Sequence, residues 1–578
     1  MNIKENLWNC WNNFYNFVQK HIEIFTVLSL AIIFYFIFFQ GIGTYSLMDV
    51  DETRYVAMAR DMFLSKNYLT LYLNGEYFFE KPPLYFWQEC LSFALWGGKI
   101  NEFTARFPVA LLGYLFSFIV YFTCRKRINR RFGVFTSLIL ATSLEFIMLA
   151  KYAILDIVLT FYIGLALVCY FQVYFCQDNH KKFYWWAFYI FTGLAVMAKG
   201  IPGIAIPFGT VFFTALMTKK FKEIFKPIFI IPGTLLFLLI VLPWHIAMFK
   251  IHDPLFFNEY IVKHHLHRFL NTPNNEIGRK QPFYYYFMIV LWGFIPWVFS
   301  MIAVFFEKIK NWGQQKYVEK IKNFDFSSLD DVHKLLALCW VAVIWIMVFF
   351  TSSSTKLATY ILPIYYPLAI IAGLMWNDYV DKKKHETPIN ISVKIFGWFC
   401  TIAGFVAIFT PLYLPKQLNL DIAEIKWFSI ICLLVVGICS LLFVKHKKYL
   451  NVFILYVIFM TVVSAFATEK FFEVDYRFGQ EDLVTFAKYA KENDYTISAN
   501  GMDRKYSLLF YNDEEVDYNP LDGDLKVIKK DLAKKKNIVI VKNKSMSNLE
   551  GKLKYRVIKK GRRYTMIGSP VENFAPMK

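Results

Sequence analysis

The chain has 578 residues, of which 57% are apolar and 20% aromatic, and its formal net charge at pH 7 is +20. A composition this apolar excludes an ordinary soluble globular protein. The sequence contains no soluble domain in which basic residues cluster and alternate with aromatic residues. The positive charge therefore does not indicate nucleic-acid binding. The nine cysteines lie between Cys10 and Cys439, mostly in or beside apolar runs, which argues against a disulfide framework.

Long apolar runs recur from residue 22 to about residue 467. A run of about 20 apolar residues can cross a hydrocarbon core of roughly 30 Å as a helix. The sequence therefore predicts a polytopic α-helical membrane protein with about 13 transmembrane helices. The predicted spans lie near 22–40, 103–124, 133–150, 157–175, 184–198, 201–217, 227–248, 284–305, 334–351, 357–376, 393–415, 427–444 and 449–467.

The basic residues between these spans predict the orientation of the chain in the membrane. Basic clusters occur at every second crossing, and such clusters mark cytoplasmic loops. They are found at 124–131, 179–182, 218–226, 307–320, 381–385 and 445–448. One topology satisfies all six clusters, with the N-terminus in the cytoplasm and the C-terminus outside. We therefore predict a transmembrane domain over 1–467 and an exported domain over 468–578.

Two exported segments interrupt the spans, at about 41–102 and 249–283. In the first, an apolar stripe at helical spacing predicts an amphipathic helix that lies on the bilayer surface. The stripe comprises Tyr55, Met58, Ala59, Met62 and Phe63. Residues 84–97 form a second apolar stretch, too short to span the membrane, which we interpret as another interfacial helix. After residue 467, β-like runs at 495–499, 537–541 and 562–568 alternate with helical stretches and predict a small α/β domain.

Polar and charged residues converge on the outer side of this topology. Ionisable groups at membrane level are costly to desolvate and are therefore candidates for function. The candidates are Asp51, Glu52, Arg54 and Lys81 in the first exported segment, and Asp156, Lys199, Lys356 and Tyr360 at the outer ends of later spans.

These residues also have purely structural interpretations, which the sequence leaves open. Asp51 or Asp49 could cap the first exported helix by accepting hydrogen bonds from its backbone. Arg54, like each of the lysines, could extend to lipid headgroups. Asp156 could form a structural ion pair with Lys151, which lies five residues earlier.

A cluster of histidines raises the possibility of a metal site. Five of the ten histidines lie in one stretch of 23 residues, at 245, 252, 264, 265 and 267. This stretch covers the end of one predicted span and the start of the second exported segment. Histidine and a carboxylate such as Glu80 can together bind a divalent metal. The histidines lack the i, i+4 spacing of a strong helical zinc site, so a metal site and an ordinary exposed loop both stay open.

The outer-face residues together fit transfer of a sugar from a lipid phosphate. Cations on this face can hold a phosphate, and arginine can do so through two parallel hydrogen bonds. Carboxylates beside them can orient an acceptor and offset the positive charge that develops at the anomeric carbon. A lipid-linked sugar at the membrane surface would use both kinds of group.

Several motifs in this order resemble a known family. They are DETRY (51–55), FEKPPLYFW (79–87), LD (155–156), KG (199–200), HLHRF (265–269), PFYYY (282–286) and TKLATYILP (355–363). Together they resemble the lipid A aminoarabinose transferases, in the protein-mannosyltransferase-like branch of the glycosyltransferase C superfamily. The resemblance covers nearly the whole chain and implies a glycosyltransferase C-type fold, with a transmembrane catalytic domain over 1–467 and a periplasmic α/β domain over 468–578.

The resemblance also implies roles for individual residues. Asp51 would be the catalytic carboxylate, and Asp156 would organise the sugar or acceptor site. Phosphate-binding residues would be Arg54, Lys81, Lys199 and Tyr360, with Glu52 and Lys356 as further substrate contacts. A divalent metal, expected to be zinc, would be bound by Glu80 and His265, with His264 as the substitute ligand.

The function implied is transfer of 4-amino-4-deoxy-L-arabinose from undecaprenyl phosphate to a lipid A phosphate. It would take place on the periplasmic face of a bacterial inner membrane and would protect against polymyxin and other cationic peptides. One alternative keeps the fold but transfers another sugar, galactosamine or mannose, to lipid A or to protein. A second alternative is a flippase or transporter of lipid-linked sugars, but the polar groups lie at one face and no internal repeat occurs, unlike typical transporters.

Overall fold

The computed structural model describes residues 19–224, 226–267, 281–312, 325–353, 355–382, 384–409, 422–503 and 505–575. Most of these residues are helical. The α-helices are α1 Ile22–Phe38, α2 Asp51–Ser65, α3 Leu84–Leu95, α4 Glu102–Arg127, α5 Arg130–Ala141, α6 Leu144–Leu149, α7 Leu155–Val173, α8 Asp178–Lys199, α9 Ile201–Thr218, α10 Phe221–Ile224, α11 Pro227–His252, α12 Tyr285–Gly293, α13 Val298–Trp312, α14 Asp331–Ser352, α15 Tyr365–Lys382, α16 Glu386–Phe409, α17 Ile422–Lys445, α18 Tyr449–Val462, α19 Thr468–Gly479, α20 Glu481–Glu492, α21 Tyr506–Asn512 and α22 Leu525–Leu532.

Among the described residues, nine helices are long and apolar enough to cross a membrane. They are Glu102–Arg127, Leu155–Val173, Ile201–Thr218, Pro227–His252, Asp331–Ser352, Ala358–Asp381, Glu386–Phe409, Glu424–Lys445 and Tyr449–Phe466. A tenth span forms if α12 and α13, which meet at 119°, are counted as one. The predicted polytopic helical architecture is therefore confirmed, with nine or ten full-length spans in place of about 13.

The remaining three predicted spans are helical but fall short for identifiable reasons. The first, α1, has only 17 residues. The second is divided into α5 and α6, because Thr142 and Ser143 donate their hydroxyls to the carbonyls of Leu138 and Ile139 at 2.5 and 2.7 Å. Such bonds to the preceding turn compete with the helical ladder. The third, α8, begins with the polar residues DNHKK, which lower its apolarity.

The amphipathic helix predicted in the first exported segment is α2, but its apolar stripe contacts protein. Tyr55, Met58, Ala59 and Met62 are all buried within the main hydrophobic core. They are covered because α2 packs against α3 on one side and against α21 of the C-terminal part on another. A helix with an apolar stripe can bury it against lipid or against other helices. In this chain the tertiary fold covers the stripe, so it does not rest on the bilayer.

The C-terminal part contains a five-stranded sheet flanked by α20, α21 and α22. The strands of the chain are β1 Tyr72–Leu73, β2 Glu76–Tyr77, β3 Thr496–Asn500, β4 Val516–Asn519, β5 Asn537–Lys542, β6 Arg556–Lys560 and β7 Tyr564–Gly568. The sheet order is β4-β3-β5-β7-β6, with β4, β3 and β5 parallel and β7 antiparallel to both of its neighbours. The apolar run Ile538–Val541 is fully buried, as expected of a central strand covered on both faces. The three predicted β-like runs correspond to β3, β5 and β7.

Candidate functional site

The predicted catalytic carboxylate lies at the start of α2, beside a predicted phosphate-binding residue. Asp51 is the first residue of the helix, and its Oδ1 accepts a hydrogen bond from Arg54 Nη2 at 2.8 Å. The Asp51 side chain is 49% exposed, whereas that of Arg54 is 17% exposed. Asp51 makes no capping hydrogen bond with the helix backbone. The capping alternative is therefore not realised, and the carboxylate stands open at the surface.

The Arg54 guanidinium is oriented by two aromatic rings. Its Nη2 also donates to the Tyr55 hydroxyl at 2.9 Å, and its Cζ lies 4.7 Å from the Tyr55 ring centroid and 5.8 Å from that of Phe78. The Nε of Arg54 is buried and has no hydrogen-bond partner among the described residues. An unsatisfied buried donor is costly, so Arg54 holds a donor that an anionic ligand can satisfy.

A second charged pair joins two helices that are distant in sequence. Asp156 lies in the first turn of α7, and Lys199 is the last residue of α8. Lys199 Nζ lies 2.5 Å from Asp156 Oδ1 and 4.2 Å from the ring centroid of Tyr360. Each charge sits at the helix end whose dipole favours it. The structure thus brings together three predicted site residues from three separate elements.

Lys151, the alternative partner considered for Asp156, binds elsewhere. Its Nζ donates to the backbone carbonyls of Gln40 and Ser464 at 2.9 and 2.8 Å. The structural alternative of an Asp156–Lys151 bridge is therefore not the pairing that the structure shows. Lys151 holds two chain segments together and leaves Asp156 to Lys199.

The pKa of the Tyr55 hydroxyl is affected by charged groups of both pairs. Burial raises the pKa of the Tyr55 hydroxyl; the Arg54 guanidinium lowers it, and the carboxylates of Asp51, Glu80 and Asp156 raise it further. Tyr55 is thus neutral and within electrostatic reach of charged groups from both pairs. The Tyr55 ring also lies 6.0 Å from the ring of Tyr85, whose hydroxyl donates to the carbonyl of Ala153 at 2.8 Å, three residues before Asp156, so the two pairs lie on neighbouring segments.

Glu52, although adjacent to Asp51, belongs to the protein core. It is fully buried in an ion pair with Arg106, in which Arg106 Nε and Nη2 donate to Oε1 and Oε2 at 2.7 and 2.8 Å. The backbone N–H groups of Met48 and Ala153 donate to the same two oxygens at 2.8 and 2.9 Å. Both oxygens are fully engaged, so the predicted substrate contact of Glu52 is corrected to a structural role.

Arg106 is the residue that the sequence reasoning missed at this point. It also donates to the carbonyls of Ile42, Tyr45 and Ser46 at 2.7–3.0 Å. The signal was present in the sequence, because Arg106 is an arginine inside a predicted span, and such residues are rarely without a specific partner. The Glu52–Arg106 pair binds the segment that leads into α2. It therefore stabilises the backbone next to Asp51.

The Lys356 side chain binds backbone carbonyl groups. Its Nζ donates to the carbonyls of Ser353 and Gln281 at 2.7 and 3.3 Å, and the residue is 7% exposed. These bonds brace the approach to the helical turn that carries Tyr360. The predicted substrate contact of Lys356 stays a prediction. Glu80 and Lys81 are half-buried in the bend between β2 and α3.

The predicted metal ligands are only partly placed. His264 and His265 fall in the π-helical segment Phe257–His267, with side chains that lie outside the described residues. Within the described part of the chain, no three or more histidine, cysteine or carboxylate side chains converge on one point. His252, a further histidine of this region, hydrogen-bonds the Thr70 hydroxyl at 2.8 Å. Zinc binding by Glu80 and His265 stays a prediction, and no reaction step below depends on it.

A buried acid beneath the site gives a prediction about stability. Glu89 on α3 is fully buried, and burial raises its pKa well above the usual range, with Tyr85 lowering it and Glu52 raising it. Folding therefore favours protonated Glu89. Its stabilising contribution is complete below the unfolded pKa of about 4.3 and is lost as the pH rises. We expect Glu89→Gln to raise the unfolding temperature at pH 8 and to change it little near pH 4.

Thermal unfolding of the purified protein in detergent, measured from pH 4 to pH 8, checks this expectation. Glu76→Gln, which removes an exposed carboxylate from the same exported segment, serves as the control and should change nothing. An equal change of the unfolding temperature in Glu89→Gln at every pH would show that the pKa of Glu89 does not differ between the folded and unfolded states.

Comparisons with known proteins show which sequences and structures the chain resembles. Residues 23–257, which contain Asp51, Arg54, Asp156 and Lys199, match the family model of dolichyl-phosphate-mannose-protein mannosyltransferases. An undecaprenyl phosphate-α-4-amino-4-deoxy-L-arabinose arabinosyl transferase of Enterobacter sp. (strain 638) is 29% identical over 62% of this chain and 60% of its own length. A second transferase of that name, from Proteus mirabilis, is 26% identical over 72% of each chain. A protein of Aquifex aeolicus is 28% identical over 64% of this chain and 67% of its own length.

The fold is shared with a solved structure. ArnT from Cupriavidus metallidurans bound to undecaprenyl phosphate superposes with a TM-score of 0.73 at 19% identity, covering 95% of this chain and 98% of that one. Its apo state gives a TM-score of 0.74 at 18% identity. The alignment extends through the membrane helices and the C-terminal sheet, so the whole architecture is common to both. The chain is therefore a multi-pass helical membrane protein with the fold of ArnT, and its residues 23–257 resemble the dolichyl-phosphate-mannose-protein mannosyltransferases.

Proposed function

We propose that the chain transfers 4-amino-4-deoxy-L-arabinose from undecaprenyl phosphate to a phosphate group of lipid A, on the periplasmic face of a bacterial inner membrane. The observation that carries the proposal is that two acid–base pairs, Asp51–Arg54 and Asp156–Lys199, lie on segments that Tyr55 and Tyr85 bring into contact. These pairs provide two cations for a phosphate and two carboxylates for a sugar that becomes positively charged. The undecaprenyl phosphate named for the relatives supplies the donor class.

The geometry supports a single displacement at the anomeric carbon. The bond from this carbon to the donor phosphate oxygen breaks, and its electron pair leaves with undecaprenyl phosphate. Arg54 and Lys199 are the two cations of these pairs that would bind the departing phosphate. Charged donors held ready in a site that excludes water stabilise such developing charge strongly.

The acceptor phosphate attacks the anomeric carbon from the opposite face, so the configuration inverts. A phosphate is already anionic at neutral pH, and no strong base is required to activate it. Asp51 then positions the acceptor and offsets positive charge at the anomeric carbon, while Asp156 positions the sugar or acceptor. An added aminosugar masks negative charge on lipid A, and so weakens its attraction for polymyxin and other cationic peptides.

Mass spectrometry of lipid A tests the proposal. Lipid A from cells that express the protein should gain the mass of one or more aminoarabinose groups, and lipid A from cells without it should lack them. The purified protein should form the same product from undecaprenyl-phosphate aminoarabinose and lipid A in detergent. Unmodified lipid A in both experiments would contradict the proposal. The match to mannosyltransferases over residues 23–257 makes mannose transfer the second candidate, which the same assay tests with a polyprenyl-phosphate mannose donor.

Lys199 provides a separate prediction about donor binding. We expect Lys199→Gln to raise the KM for the donor by about 10- to 100-fold, since a charge-assisted hydrogen bond to phosphate contributes about 1.5–3 kcal/mol. Lys199→Arg should keep part of the affinity because it retains the positive charge. Initial rates at varied donor concentrations measure the effect. An unchanged donor KM in Lys199→Gln would show that Lys199 serves only to neutralise Asp156.

A further inference from the structure

The C-terminal part of the chain is bound to the residues that precede Asp51. Gln480 Nε2 donates to the carbonyl of Leu47 at 2.6 Å, and its Oε1 accepts from the Asp49 backbone at 2.9 Å. The Asp49 carboxylate accepts from the Ser507 backbone N–H and hydroxyl at 2.8 and 2.7 Å. These contacts join α2, at one end of the chain, to α21, more than 450 residues later.

The Asp49 carboxylate is buried and accepts several hydrogen bonds. It is 6% exposed and also accepts from the hydroxyl of Thr53, in the first turn of α2, at 2.7 Å. The Lys505 ammonium lies 4.0 Å away. The sequence left open that Asp49 caps α2, but its carboxylate instead binds α21 and a side chain of α2.

A second attachment point fixes the rotation of α2. Arg60 Nη1 donates to the carbonyls of Leu509 and Phe510 at 3.1 and 3.0 Å, and to Asp513 at 2.8 Å. Arg60 lies 11 residues after Asp49. With about 3.6 residues per turn, α21 therefore holds α2 at points about three turns apart. A helix held at two such points can neither rotate nor slide without breaking several buried hydrogen bonds.

The same attachment reaches the site itself. Tyr506, the residue before Ser507, interacts electrostatically with the Arg54 guanidinium. Asp51 is separated from Asp49 by one residue only, so the position of its carboxylate follows the position of Asp49. Displacing a reacting group by about 1 Å can lower a rate by about 100-fold.

We infer that Gln480 and Ser507 are positioning residues for sugar transfer, through which the C-terminal domain fixes the place of Asp51 and Arg54. This inference rests on the proposed function, because it assigns those two residues their purpose. In this inference the C-terminal domain is required for full activity, although neither Gln480 nor Ser507 contacts the substrate.

The test compares two sets of substitutions in the full-length protein. The double variant Gln480→Ala/Ser507→Ala removes three of the hydrogen bonds at Leu47 and Asp49. The matched control is Ser545→Ala, which removes a hydroxyl bond from a buried serine to Asp522 inside the C-terminal domain. We expect the double variant to lower kcat by about 10- to 100-fold. The donor KM should rise as well, because Arg54, which contacts the donor phosphate, is displaced together with Asp51. Ser545→Ala should keep its kcat, and Ser507→Thr, which retains the hydroxyl, should be close to wild type.

Hydrogen–deuterium exchange supplies a measurement that does not need activity. Peptides covering residues 47–56 should exchange faster in the double variant and at the wild-type rate in Ser545→Ala. Unchanged exchange, or a kcat no lower than that of Ser545→Ala at equal folded protein, would overturn the positioning role. Wild-type protein that modifies no lipid A would reject the proposed function, and the exchange experiment would still decide whether the C-terminal domain holds the start of α2.

Discussion

Replacing Asp51 by asparagine is expected to lower kcat for sugar transfer by about 100- to 1,000-fold, the usual effect of removing one group that stabilises transition-state charge. Asparagine keeps the shape and can still accept a hydrogen bond from Arg54, but it cannot offset positive charge at the anomeric carbon. The fold should survive, since an exposed ion pair of this kind contributes about 0–1 kcal/mol to stability. Turnover of purified protein, normalised to the folded fraction, measures the effect.

The control for this substitution is Asp517→Asn. Asp517 is 61% exposed and pairs with Lys534 at 2.7 Å on the surface of the C-terminal domain, so it resembles Asp51 in exposure and partner charge. Its replacement should leave both turnover and stability unchanged. Full turnover in Asp51→Asn would overturn the assignment of Asp51 as a catalytic residue.

Replacing Arg106 by glutamine is expected to cost about 3–5 kcal/mol of stability, because Glu52 is then left charged and uncompensated in the core. Arg106 also supplies three bonds to backbone carbonyls that would otherwise be buried without a partner. The variant should therefore accumulate poorly in membranes and unfold at a much lower temperature. Expression yield and thermal unfolding in detergent measure both effects.

Arg125→Gln is the matched control, on the same helix. Arg125 also pairs with a glutamate, Glu23, at 3.1 Å, but the two side chains are 42% and 34% exposed. Its loss should change the unfolding temperature little. The double variant Glu52→Gln/Arg106→Gln is compared with Arg106→Gln alone. If the double variant is less destabilised, the loss of stability arises from the unpaired charge of Glu52. Equal stability of Arg106→Gln and wild type would show that the pair does not support the site.

Local patterns were sufficient to locate much of the site. Arg54 lies three residues after Asp51, and residues at this spacing are neighbours on the surface of a helix. Their pairing therefore follows from the local sequence. Three of the five strands of the C-terminal sheet were likewise visible as short β-like runs, whereas β4 and β6 were not predicted. By contrast, the pair of Asp156 and Lys199 spans 43 residues, and the sequence offered Lys151 as a nearer partner. Only the packing of α7 against α8 decides between the two lysines.

The sequence by itself determined the membrane class, most of the helices and the set of charged residues considered for the site, since each depends on composition and spacing along the chain. The tertiary structure alone decided what adjacent residues do. Asp51 and Glu52 are neighbours of the same charge, yet successive residues on an α-helix point about 100° apart. One side chain therefore reaches the open site, while the other meets Arg106 in the core. Which of the two faces is covered depends on α4 and on the C-terminal domain, both of which lie far along the chain.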